Sequence, residues 1–241
     1  MGSWPYVFFM SFSMNKSFFS LLLALILTCS SAYSQRSFSH SYRADYSYLP
    51  DNQISKNYAQ RLEKLFTVNY SFQSILEIPR SEAKGYNCSQ ILKKLDQMGG
   101  LDKECFGVSY TDGESGKLKP MFKKSILNED EHELYIKDKT AGGLNFDFCV
   151  DQYFEENTFA VTALLNKNPS NVLLREIKKN EAAIFVLMQE TEASINLYVL
   201  IQCTYSPLKY KFLKKIVENA VMARVFEVQN WFSRMLCTPV E

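Results

Sequence analysis

Residues 144–153, LNFDFCVDQY, set the fold class. Leu144, Phe146, Phe148 and Val150 fall on one side of an extended chain, and Asn145, Asp147 and Asp151 fall on the other. A period of two marks a β-strand with one apolar and one wet face, and such strands belong to antiparallel sheets. The flanking segments extend the pattern. Upstream, FGVSYTDGESGKLKPMFKKSIL (106–127) predicts two strands around the turn Asp112–Gly116, with glycine at the tip. Leu134–Lys137 predicts a short strand after the acidic run Asn128–Glu133. Downstream, Thr158–Asn166, Val172–Ile177, Ala182–Gln189 and Ser194–Tyr205 predict further strands, and the run Asn166–Asn171 is a turn containing Pro169.

Helical periodicity lies on either side of this block. Over 51–68, Asp51 can cap a helix whose Ile54, Tyr58, Leu62 and Leu65 share a face. Pro79 closes the following segment, SILEIP. Asn87 or Ser89 opens a second helix carrying Ile91, Leu92, Leu95 and Met98, which Gly99 and Gly100 stop. Ser206-Pro207 opens the longest helix, running to about Leu236, because serine caps well and proline suits the first helical position. Leu213, Val217, Ala220, Val228, Trp231 and Met235 form its apolar stripe, widened by Phe212, Ile216, Ala223 and Phe232. A stripe that broad must lie on a large surface, and the sheet is the candidate. Helices, then a run of strands, then a helix define an α+β fold, with an antiparallel sheet of about six to seven strands.

The N-terminus reads as an export signal over 1–34. Lys16 supplies positive charge, Phe18–Leu27 is an apolar core, and Ala32 and Ser34 place small residues before Gln35. That core is shorter than the roughly 20 apolar residues a membrane span needs. Translation from Met14 would leave the signal intact. Cys29 offers the alternative of lipid modification, but Thr28 stands where a lipobox has Gly, Ala or Ser. Cleavage after Ser34 is the favoured event, and it places the chain in the periplasm or cell envelope. Residues 35–50, rich in Ser, Tyr and Arg, then form a flexible lead to a single α+β domain over 51–241.

The chain has 27 Lys+Arg and 26 Asp+Glu. Lys16 is the one charged residue before Gln35, so the remainder has a formal net charge of zero. Phosphate neutralisation dominates nucleic-acid affinity, so this balance argues against nucleic acid as partner. A chain this long can bury about 70% of its unfolded surface and needs no staples. Beyond the signal no stretch is long and apolar enough to span a membrane. Of six cysteines, five follow the signal: Cys88, Cys105, Cys149, Cys203 and Cys237. An odd number leaves one thiol without an intrachain partner. Cys149 and Cys203 lie in apolar runs, where a free cysteine acts as a small hydrophobe. There is no CxxC.

Three segments carry a family resemblance: residues 91–125, ILKKLDQMGGLDKECFGVSYTDGESGKLKPMFKKS; residues 133–153, ELYIKDKTAGGLNFDFCVDQY; and residues 221–232, VMARVFEVQNWF. Together they resemble a domain family of unknown function in exported proteins of treponeme-type spirochaetes, over roughly residues 85–236. This sequence has Ala141-Gly142-Gly143 where that pattern has an aromatic before glycine, and one Ser-Tyr pair where it often has two tyrosines. The resemblance implies export and fold. It implies no activity.

Candidate sites are few. The histidines are His40, in the lead, and His132, in the acidic run Asp130–Glu133. That run could offer metal ligands, but a solvated loop between strands is the simpler reading, and no metal or cofactor is expected. GESGK (113–117) lacks the spacing of a phosphate loop and has no helix after it. The 18 Phe and 14 Tyr raise a different hypothesis. A curved antiparallel sheet with a long helix across it is the helix-grip arrangement of START-like lipid-binding domains. A cavity between helix and sheet would then be lined by Phe146, Phe148, Phe185, Leu187, Tyr198, Phe226 and Trp231. Its occupant would be a lipid or other hydrophobic small molecule. The leading expectation is thus a non-enzymatic exported binding module. A protein-interaction or envelope-structural domain with a solid core is the alternative, and an enzyme of unrecognised type the third. Oligomeric state is open at this stage.

Overall fold

A computed structural model describes residues 35–101, 107–153, 157–171, 174, 176–206 and 211–240. The expected signal (1–34, with Cys29), Cys105 and the expected helix start at Pro207 lie outside these residues. The described residues form helices α1 (Gln53–Leu65), α2 (Cys88–Leu92) and α3 (Lys211–Cys237). The strands are β1 (Gln35–Ser41), β2 (Tyr70–Pro79), β3 (Ser109–Thr111), β4 (Leu118–Pro120), β5 (Phe122–Asn128), β6 (Glu133–Asp138), β7 (Gly142–Tyr153), β8 (Thr158–Leu165), β9 (Ala182–Glu190) and β10 (Ser194–Cys203). Eight strands make one antiparallel sheet in the order β1-β2-β10-β9-β8-β7-β6-β5, and β3 and β4 form a separate hairpin. The fold is α+β.

Local chemistry explains most boundaries. Asn52, one residue past Asp51, caps α1 by accepting the Ser55 N–H at 2.9 Å, while Asp51 instead pairs with exposed Lys56. Asn87 and Gln90 form a reciprocal capping box on α2. A short 3-10 helix, Leu95–Met98, follows it and ends at Gly99. The turn between β3 and β4 is organised by Asp112, whose carboxylate accepts from the Glu114 N–H, Ser115 and Lys119.

Two expectations need correction, and one segment gains a role. Residues 35–50 do not begin as a flexible lead. Gln35–Ser41 pairs residue for residue with Ser71–Glu77 and supplies strand β1. SILEIP is the second half of β2, which lies between β1 and β10. The described residues of 172–177 form no strand. They turn through hydrogen bonds from Leu174 N–H to Asn171 and from Ile177 N–H to Leu174, although residues 172, 173 and 175 lie outside the description.

The sheet is also less wet than period two implied. Along β7, Phe146 and Phe148 are buried and Asp147 is exposed, as alternation demands. The central strands differ, because β8, β9 and β10 bury residues on both faces. One face packs Phe146, Val161, Met188, Leu197 and Phe72 against α2 and α3. The other packs Ala160, Phe185, Leu187, Tyr198 and Leu200 against Ile54, Tyr58 and Leu62 of α1. Leu65, expected on that stripe, is 43% exposed.

The sheet curls around α3. Arg36 of β1 bonds Asn230 at 2.6 Å, and Asp138 of β6 bonds Arg224 at 2.7 Å. Six strand steps separate β1 from β6, about 29 Å if the sheet were flat. A helix about 10–12 Å across cannot reach both strands unless the sheet bends toward it. The α3 stripe is narrower than expected and confined to the C-terminal half. Val225, Trp231, Phe232, Met235 and Leu236 are buried, while Ile216 is 63% exposed. The side chains of Phe212 and Leu213 lie outside the described residues.

Candidate functional site

The seven aromatic and apolar residues expected to line one cavity are divided by the sheet. Phe146 and Phe148 of β7 and Phe226 and Trp231 of α3 belong to the α3 face. Phe185 and Leu187 of β9 and Tyr198 of β10 belong to the α1 face. The reason is parity. Along β9, Phe185 and Leu187 point opposite to Val186 and Met188.

These side chains are packed among their neighbours. Phe185, Leu187 and Trp231 are 0% exposed, and Phe146 is 4% exposed. The first three border no space that a water molecule could enter. Phe226 is half-buried, edge-on to Phe38 at 5.3 Å, with the Arg36 guanidinium 4.5 Å above its ring. Tyr58 of α1 stacks on Phe185 at 4.1 Å, with ring planes 13° apart.

Buried polar groups on both faces are linked to one another. On the α1 face, the Tyr58 hydroxyl donates to Gln202 at 3.2 Å, and the Gln202 amide donates to Ser71 at 3.1 Å. On the α3 face, Ser74 donates to Gln229 at 3.0 Å, and the Gln229 amide donates to the Leu197 carbonyl at 3.3 Å. A buried amide must be satisfied or it costs stability, and each glutamine here ties a helix to the sheet. Sequence periodicity gave no sign of either: Gln202 sits in an apolar strand and Gln229 in an apolar stripe.

The clearest electrostatic feature is the Asp138–Arg224 pair. Asp138 also accepts the backbone N–H groups of Thr140 and Ala141, both at 2.7 Å. Burial pushes its carboxyl up, but Arg224 and the two amides outweigh that and hold it below the usual carboxylate range. Asp112 is half-buried, and its bond to Lys119, with help from the turn amide and Ser115, holds it down to about 2. Burial pushes the Cys203 thiol up to about 12, which keeps it protonated and unreactive. Cys88 is raised for the same reason.

His40 lies in β1 and His132 in the turn between β5 and β6. His40 Nδ1 lies 3.0 Å from the Tyr70 hydroxyl on the α3 face. His132 takes a positive φ of 53° in the turn between β5 and β6, with its ring edge-on to Phe148. Among the described residues no three His, Cys, Asp or Glu side chains gather in a way that could hold a metal, and no helix is long and apolar enough to cross a membrane. A cleft of about 140 Å³ lies between α1 and strands β7 and β8, lined by Ile54, Asn57, Tyr58, Arg61, Asp151, Tyr153 and Thr162. Sites for drug-sized ligands run from about 300 Å³ upward, so this cleft is smaller than such a site.

Fold and site together define an α+β protein with two packed cores, one on each side of a curled antiparallel sheet. Comparison with protein-family models, with curated proteins and with solved structures returns no match.

Proposed function

We propose that this chain is an exported, non-enzymatic domain of the periplasm or cell envelope that acts through its surface, as a protein-interaction or envelope-structural module with a solid core. The packing carries this reading. The seven candidate lining residues fall on two faces, and three of them, Phe185, Leu187 and Trp231, are fully buried. The leader-like sequence over 1–34 and the resemblance to exported spirochaete proteins support the location. Intact mass of the protein recovered from its own host tests export, with Gln35 expected as the first residue.

The second reading is a START-like helix-grip domain holding a lipid or other apolar molecule between α3 and the sheet. The curl of the sheet around α3 favours it. On that reading Phe146, Phe148, Phe226 and Trp231 would contact the ligand, and Phe185, Leu187 and Tyr198 would only support the sheet. Native mass spectrometry of host-purified protein separates the two readings. The bare polypeptide mass is expected. A lipid that co-purifies reproducibly would overturn the solid-core reading and establish the second.

A further inference from the structure

We propose that the cleft between α1 and strands β7 and β8 is a binding site for a small zwitterion of the α-amino acid class, with the ligand's carboxylate at Arg61 and its ammonium at Asp151. The site lies on the opposite side of the sheet from α3, and the inference goes beyond the reading of this chain as a surface-acting module.

Three elements supply the walls. Ile54, Tyr58 and Arg61 recur at helical spacing and lie along one side of α1. Asp151 and Tyr153 are alternate residues of β7 and share a face of the sheet, and Thr162 comes from β8. All of the lining residues are among the described ones. The gap has a packing cause. Tyr58 rests its ring on Phe185 of β9, so two stacked rings hold α1 off the sheet there. On β8 the residues paired with Leu187 and Phe185 are Ala160 and Thr162, which are too short to reach the helix at that height. A cleft of about 140 Å³ is left.

The lining points to a ligand that carries both charges. Arg61 and Asp151 are the two charged side chains of the cleft. They have opposite signs, stand on facing elements, and join no ion pair among the described residues. A ligand with a single charge is attracted by one of them and repelled by the other. A zwitterion satisfies both, its carboxylate accepting from the guanidinium and its ammonium donating to the carboxylate. Thr162 supplies a third contact. It is 6% exposed, lines the cleft, and its hydroxyl has no hydrogen-bond partner among the described residues. A buried hydroxyl without a partner costs stability, and a polar atom of the ligand would satisfy it.

Size narrows the class. A cavity of about 150 Å³ takes a molecule as large as benzene, so this cleft takes about six to eight non-hydrogen atoms. Alanine, serine and threonine fall in that range, whereas a lipid or drug-sized molecule exceeds it. Ile54 and the rings of Tyr58 and Tyr153 offer an apolar wall for a short side chain.

The test is a two-dimensional NMR titration of the protein, expressed with its own leader and purified. The probes are L-alanine, L-serine and L-threonine, with acetate and ethylammonium as single-charge controls. Saturable shifts in the amides of α1, β7 and β8 are expected below about 10 mM, with at least one amino acid binding about tenfold more tightly than either control. Arg61→Gln and Asp151→Asn should each weaken that binding about tenfold, with circular dichroism unchanged. The controls should move the other way. Acetate should gain affinity in Asp151→Asn and ethylammonium in Arg61→Gln, because each loses its repulsive neighbour. The proposal is overturned if none of the three amino acids gives saturable shifts at these amides, or if either control binds the wild type as tightly as they do. It is also overturned if a folded variant binds them like the wild type. The wild-type titration decides by itself should a variant fail to fold. None of these results bears on whether the α3 face holds a lipid, which the mass measurement decides separately.

Discussion

Arg224 grips Asp138 from two directions, with Nε 2.7 Å from Oδ2 and Nη2 3.0 Å from Oδ1. The Asp138 side chain is 2% exposed and that of Arg224 26%. The pair fastens the middle of α3 to the end of β6. Removing one member of a buried pair strands the other, at a cost of about 3–5 kcal/mol. Arg224→Ala should therefore lower stability by about 3 kcal/mol in urea unfolding. Arg224→Lys should recover only part of the loss, since lysine cannot bond both oxygens. A change below about 0.5 kcal/mol for Arg224→Ala would show that the pair does not fasten the helix.

The same pair sets a pH dependence. The folded carboxyl of Asp138 titrates below its unfolded value. Its contribution is thus fully present above the unfolded pKa of about 3.9 and is lost as pH falls through the folded value. Urea midpoints should hold between pH 7 and 5 and drop below pH 4. In Asp138→Asn the part of that drop due to this carboxyl should vanish. An acid limb identical in wild type and variant would contradict the assignment.

Tyr58 tests how α1 is attached. Its ring lies on Phe185 and its hydroxyl bonds Gln202. Tyr58→Phe removes the hydrogen bond alone and should cost about 1 kcal/mol. Tyr58→Ala empties the stack and should cost about 3–5 kcal/mol. Equal losses for the two variants, read by thermal or urea unfolding, would mean that the stack contributes little.

Gly85 tests how the end of α3 is anchored. Its N–H bonds the Leu236 carbonyl at 2.7 Å. A Cβ there would lie 2.3 Å from the Met235 carbonyl oxygen and 2.5 Å from that of Thr238. Backbone cannot yield cheaply at such distances. Gly85→Ala should destabilise by about 2 kcal/mol or more and raise hydrogen exchange in the last turns of α3. Wild-type stability in this variant would place Gly85 away from the helix end.

Much of this architecture was legible in the residues. Leu144–Tyr153 announced its strand, Asn87 announced the start of α2, and the Asp112–Gly116 turn announced its hairpin, because each rests on contacts within a few residues. The α+β class followed from their order. β1 was missed because QRSFSHS has one large apolar side chain, and its strand character comes only from pairing with β2. The double burial of β8 to β10 had a signal in the near-continuous apolar runs TFAVTALL and NLYVLI, which period-two reading overlooks.

Sequence alone determined what short-range chemistry determines: alternation, caps, turns, charge balance and a leader-like N-terminus. Tertiary structure decided everything that depends on which face a residue takes. It put Phe185 and Phe148 on opposite sides of the sheet, made Gln202 and Gln229 ties between helix and strand, joined Arg224 to Asp138 across 86 positions, and placed β1 at one end of the strand order. Those outcomes depend on strand order and sheet curl, which long-range packing fixes and no local pattern encodes.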